Sequence, residues 1–136
     1  MVSFHILSEY SLTLPTKGGG EKIPNGPLYS LQRIKKIGSD ETGLNLWTRD
    51  CVADVNKLFG GDVAQVAALV QLLRTSDYID SEWCENGKGA WAGCDAYSVC
   101  RSEWVPAARK DMVIEYFLKF AINKLGTLVL TVSCHT

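Results

Sequence analysis

The most constraining feature of this sequence is a pair of β-forming runs close to one end of it. Met112–Ile122 reads Met-Val-Ile-Glu-Tyr-Phe-Leu-Lys-Phe-Ala-Ile, and Thr127–His135 reads Thr-Leu-Val-Leu-Thr-Val-Ser-Cys-His. Both are dense in β-branched and aromatic residues. Only Asn123-Lys124-Leu125-Gly126 lies between them, a tight connection with a glycine where a positive φ is wanted. Strands joined this tightly are antiparallel neighbours. A third run, Cys94–Trp104, precedes them, so three consecutive strands are expected, Cys94–Trp104, Met112–Asn123 and Thr127–His135. Whatever lies before Trp91 then covers one face of this sheet, and the other face is the place to look for function.

The preceding residues supply the cover. Leu28, Leu31, Ile34 and Ile37 recur at helical spacing, with Gln32, Arg33, Lys35 and Lys36 on the wet side. That basic cluster is either a solvated face or part of a rim for a polyanion. Thr48 is an N-cap for a second helix with the stripe Cys51, Val52, Val55, Leu58 and Phe59, ended by Gly60-Gly61. Asp62 caps a third helix, Val63–Arg74, whose buried face is Val63, Val66, Ala67, Val70 and Leu73. Tyr78–Gly89 mixes charge, tryptophan and glycine without a period, and reads as an irregular loop. Residues 1–27 form an extension. It holds a short strand at Phe4–Leu7 or Tyr10–Leu14, then a loop over Thr16–Pro27 rich in glycine and proline. Gly18-Gly19-Gly20-Glu21-Lys22 lacks the Gly-Lys-Ser/Thr ending of a phosphate loop. The expected fold is therefore α+β: N-terminal helices packed on a C-terminal antiparallel β-sheet of three or more strands, one domain over 28–136.

At 136 residues with a net charge of −1, the chain can bury a core, and no global field marks it for nucleic acid. No run approaches a membrane span, and the N-terminus has no basic region followed by an apolar stretch, so neither membrane nor signal peptide is expected. The cysteine number is odd, five, which fits free thiols in a cytosolic protein. The intervals Cys84–Cys94 and Cys94–Cys100 are wider than a zinc knuckle, so no metal and no cofactor are assigned. Cys134 and His135 are adjacent on a strand, point to opposite faces and cannot form a catalytic pair. Alternation along the three strands allows one face to collect Tyr97, Arg101, Lys119, Ser133 and His135. Cations, a phenol and an imidazole on an open sheet suit RNA; the plainer alternative is a solvated sheet face.

The order of short motifs carries a resemblance. It runs through Tyr29-Ser-Leu-Gln-Arg-Ile-Lys-Lys-Ile, the helix pair at 48–74 and Leu72-Leu73-Arg-Thr-Ser-Asp77-Tyr78. It continues through Trp91 with Asp95-Ala96-Tyr97, Tyr116-Phe-Leu-Lys119-Phe and Val132-Ser133-Cys-His135. Over roughly residues 28–136 this resembles the MqsR family of type II toxins, small messenger-RNA interferases with a RelE-like α+β fold. The resemblance implies a cytoplasmic, metal-independent endoribonuclease of a toxin–antitoxin pair, with RNA and a cognate antitoxin as partners. The family's lysine after Asp-Phe-Tyr falls on Asp80, a charge reversal, and its glutamine before Asp-Val-Tyr falls on Cys94. Its functional tyrosine falls on Phe117, or on Tyr116 if the register slips by one, and its terminal lysine falls on His135. Asp95, Tyr97, Lys119 and Ser133 match as they stand. The implied catalytic residues are His135, Lys119 and Tyr116, and the implied RNA-binding residues are Tyr97, Arg101 and Ser133. His135 is the acid or base, since an imidazole titrates near neutral pH. The alternatives are a catalytically silent protein- or RNA-binding member of the same fold, and an unrelated small α+β binding module.

Overall fold

The computed structural model describes residues 5–11, 15–16, 19–86 and 88–135, with the side chains of His5 and of residues 129–135 left out. Its elements are β1 (His5–Ile6), α1 (Leu31–Ile37), β2 (Leu44–Leu46), α2 (Arg49–Phe59), α3 (Val63–Leu72), β3 (Tyr78–Glu85), β4 (Ala90–Val105), β5 (Lys110–Ile122) and β6 (Leu128–His135). The α+β order of helices followed by an antiparallel sheet is as expected.

Local chemistry sets the helix ends. Thr48 Oγ1 accepts the Cys51 N–H at 3.0 Å, and Asp62 Oδ1 accepts the Ala64 N–H at 3.1 Å, each satisfying a donor left over in a first turn. Gly60 stops α2 with φ +61, and its N–H returns to the Asn56 carbonyl at 3.0 Å. The first helix starts at Leu31 rather than Leu28, with Ser30 at the N-cap position in an extended conformation and the Leu28 and Tyr29 amides on Asp95. The third ends at Leu72 rather than Arg74, and a turn of 3₁₀-helix over Thr75–Asp77 follows. Ile34, Cys51, Val55, Val66, Leu69, Val70 and Leu73 form the buried faces of this layer.

The sheet runs β1-β4-β5-β6-β2, with β3 on the opposite edge of β4 from β5. The meander β3-β4-β5-β6 is antiparallel. Two short parallel strands are added to it: β1 on β4 at His5↔Ala90, and β2 on β6 at Leu44↔Leu128. The strand expected near the N-terminus is His5–Ile6, inside the first of the two options; residues 12–14 of the other option lie outside the described residues. Gly126 in the β5–β6 connection has φ +85, as the turn required.

Three expectations are corrected. The segment read as an irregular loop, Tyr78–Gly89, is a strand over Tyr78–Glu85. It alternates: Ser81 and Trp83 are each 1% exposed, Trp83 packed against Ile6, Tyr10, Ile23 and Leu28 of the N-terminal segment, while Asp80, Glu82 and Cys84 take the other face. Part of the presumed 16–27 loop pairs with its outer edge, through Gly20 N–H to Trp83 O at 2.8 Å, Trp83 N–H to Glu21 O at 2.9 Å and Ile23 N–H to Ser81 O at 2.9 Å. Finally, the shared face proposed for Tyr97, Arg101 and Lys119 is split by the register, as described next.

Candidate functional site

Tyr97 stands opposite Leu118, and Val99 opposite Tyr116, so these four share the helix-covered face. Tyr97 is buried, edge-on to Phe120 at 5.2 Å and to Tyr78 at 5.6 Å. Tyr116 stacks on Phe59 of α2 at 5.6 Å and donates its hydroxyl to Glu103 at 2.9 Å. Arg101 lies 5.4 Å from the Tyr116 ring and binds Glu103 at 2.8 Å. Burial, with the Glu103 hydrogen bond adding to it, pushes the Tyr116 phenol up to about 12. Burial does the same to Tyr97, also to about 12. Both phenols are therefore neutral, the Tyr116 hydroxyl held by Glu103 and the Tyr97 ring packed between Tyr78 and Phe120.

Lys119 stands opposite Ala96, on the other face. It is ion-paired with Glu82 of β3, and Glu82 also binds Lys22 at 2.9 Å. Lys22 reaches Asp80 at 2.7 Å. A cavity of about 330 Å³ opens here, its lining including Lys22, Asp80, Glu82, Ala96, Phe117 and Lys119. Burial favours the neutral form of Glu82, but the two ammonium groups more than reverse this and hold its pKa below the ordinary carboxylate value. Burial likewise opposes the charge on Lys119, and Glu82 outweighs it, leaving the amine raised. Beside them are two thiols. Cys94, opposite Glu82, and Cys84, opposite Ala92, share this face. Their mutual hydrogen bond lowers the Cys84 thiol and raises the Cys94 thiol.

Asp95, which matched the family, is fully buried on the helix-covered side. It accepts the Leu28 N–H on both oxygens at 2.9 and 3.0 Å, the Tyr29 N–H at 3.1 Å and the Ser81 hydroxyl at 2.6 Å. Its work is structural: it clamps the chain entering α1 onto the sheet. Burial raises its pKa against the pull of these donors.

Ser133 and His135 are placed by backbone register only, opposite Phe117 and Glu115, and their side chains lie outside the described residues. Thr131 is the β6 residue opposite Lys119, and at about 3.4 Å per residue the rung of His135 is roughly 14 Å further along the strand. Of the six candidate residues, then, Tyr97, Arg101 and Tyr116 stand on one face and Lys119 on the other. Lys22, Glu82 and Cys84 were missed. The signal for Glu82 and Cys84 was the alternation of Asp80-Ser81-Glu82-Trp83-Cys84, hidden by its charge; no signal in the sequence ties Lys22 to them.

Among the described residues, no group of three or more His, Cys, Asp or Glu side chains is arranged to hold a metal ion, and no helix is long and apolar enough to cross a membrane. Comparison with protein-family models, with curated proteins and with solved structures finds no match.

Proposed function

We propose that this chain is a toxin-like RNA endonuclease of a toxin–antitoxin pair, a divergent relative of the MqsR toxins, acting in the cytoplasm with a cognate antitoxin as its protein partner. One observation carries the reading. Four positions that the resemblance aligns with the family, Asp80, Cys94, Phe117 and Lys119, come from three strands and lie on one face, whereas Asp95 and Tyr97 lie on the other. Asp80 of β3 and Phe117 of β5 line the same cavity as Lys119, and Cys94 of β4 shares their face.

The chemistry follows from the groups present. Lys119 is the cation for the scissile phosphate, and Glu82, ionised and facing it, is the base for the ribose 2′-hydroxyl. Phe117 offers a surface for base stacking. Tyr116 plays no part at this cavity, because its hydroxyl is held by Glu103 on the other face. The register does not bring His135 to this cavity, since it stands opposite Glu115 while Thr131 stands opposite Lys119, so the leaving 5′-oxygen takes its proton from solvent.

A second reading rests on charge. Lys22 and Lys119 already face Asp80 and Glu82, so an incoming phosphate must displace a carboxylate. That favours a catalytically silent member of the same fold. Induced expression in a bacterial host, scored for growth arrest and messenger-RNA decay, separates the two. Arrest by the wild type that Lys119→Met and Glu82→Gln each abolish supports the nuclease, and His135→Ala is expected to leave that arrest in place. Arrest indifferent to Lys119 and Glu82 removes the cavity from the mechanism. A soluble, folded wild type that leaves growth and RNA intact transfers the protein to the silent reading.

A further inference from the structure

Beyond Tyr97, β4 has a neighbour on one side only among the described residues. β3 joins it at the Tyr78–Tyr97 rung, while β5 follows it to Val105–Lys110. Among the described residues none pairs with the other edge of Ser98–Val105. An open edge of this length is a template for another strand. Two ends bound it, β3 at one and the turn at Pro106 at the other, so an added strand must fit between them.

The sequence of this edge is complementary to itself. It reads Val99-Cys100-Arg101-Ser102-Glu103-Trp104-Val105. A two-fold axis perpendicular to a sheet keeps every side chain on its own face, so each residue must meet one of equal parity in the partner. Centred on Arg101, the axis sets arginine against arginine; centred on Glu103, glutamate against glutamate. Centred on Ser102, it sets Arg101 against Glu103 twice, Cys100 against Trp104 twice and Val99 against Val105 twice. Trp104 is 60% exposed in the single chain and is covered in this arrangement. The partner's Val105–Pro106 arrives at a groove of about 550 Å³ beside Ser98 and Cys100, whose lining includes Leu72 and Ile79, themselves 47% and 48% exposed.

We propose that the chain associates with a second copy of itself through the free edge of β4, antiparallel and two-fold about Ser102. The two sheets become continuous. The axis places both helical layers on one side and both Lys119 cavities on the other. Arg101 and Glu103, paired within the chain at 2.8 Å, each gain the partner's counterion as well.

Sedimentation equilibrium of the full chain tests this. The wild type is expected as a dimer at micromolar to millimolar concentration. Glu103→Arg and Arg101→Glu each set like charges opposite one another at two places, and each weakens association by about tenfold or more. The double swap, Arg101→Glu with Glu103→Arg, restores the dimer because the pairing is rebuilt with its signs exchanged. Thermal unfolding of each variant separates lost association from lost folding, since both residues also touch Tyr116. Independently, Ser102→Cys in a Cys100→Ser background places two thiols across the axis. Oxidised glutathione then joins them as a disulfide-linked dimer, releasing reduced glutathione, while Lys110→Cys in the same background does not. A wild type that sediments as a monomer throughout overturns the proposal. So does a Ser102→Cys chain that cross-links no faster than Lys110→Cys, or a double swap that stays as monomeric as the singles.

Discussion

Replacing Asp95 removes the anchor that holds the entry of α1 to the sheet. In Asp95→Ala the Leu28 and Tyr29 N–H groups lose the carboxylate that accepts them, whereas Ser81 keeps the Tyr78 hydroxyl at 2.7 Å. An orphaned buried donor costs about 1–3 kcal/mol; Leu28 is partly open to water, so the pair together costs about 2–4 kcal/mol. Asp95→Asn keeps one acceptor oxygen but turns an NH₂ toward a donor, costing about 1–2 kcal/mol. The pH dependence has a definite sign. Burial raises the folded-state pKa of Asp95. Its contribution is therefore fully present below the unfolded value of about 3.9 and is lost as pH rises through the folded value. The stability gap between wild type and Asp95→Asn widens as the pH falls from neutrality toward that value. Urea unfolding followed by tryptophan fluorescence reads both quantities, and amide exchange at Leu28 and Tyr29 reports the local opening. An Asp95→Ala cost below about 0.5 kcal/mol, where an ordinary surface change lies, would refute the clamp. A gap that narrows on acidification would refute the sign.

Two further substitutions probe the packing around the same strands. Glu82 has two ammonium partners and Lys119 has Glu82, so the pair is asymmetric. Glu82→Gln, which strands a half-buried lysine, is expected to cost about 1–3 kcal/mol, between the surface and buried limits for ion pairs. Lys119→Met, which leaves Glu82 on Lys22, is expected to cost less than about 1 kcal/mol. Because the Glu82 pKa is lowered, its contribution holds above the unfolded glutamate value and fades as pH falls through the folded one. Chemical denaturation of both variants at two pH values decides, and a larger loss for Lys119→Met would contradict the arrangement. Gly26→Ala puts a methyl group inside contact distance of the Tyr78 hydroxyl and Ser81 Oγ, atoms of the Asp95 network. It is expected to lower stability by about 1–3 kcal/mol in thermal unfolding, and a neutral result would mean this loop moves away freely.

Much of the architecture was legible because it is locally encoded. The β5 and β6 runs carry their period, composition and turn glycine within a few residues. The caps Thr48 and Asp62 and the stop at Gly60 need nothing beyond their own helix ends. β3 was not legible. Its Asp80 and Glu82 look like a loop until Lys22 and Lys119, both distant in sequence, neutralise them, and until the 20–23 segment covers its edge.

The site divides along the same line. The sequence by itself determined which residues alternate within each strand, because the side-chain period of a strand is two. Which residues meet across strands is a matter of register, and an offset of one residue exchanges the two faces. Tyr97 and Lys119 were grouped by joining the alternation of two strands, yet Tyr97 stands opposite Leu118 and Lys119 opposite Ala96. Only the tertiary structure decided that. The offset is set by the length of the β4–β5 turn and by the Tyr97, Tyr116 and Phe120 rings packing into the core, and neither is a property of any one strand.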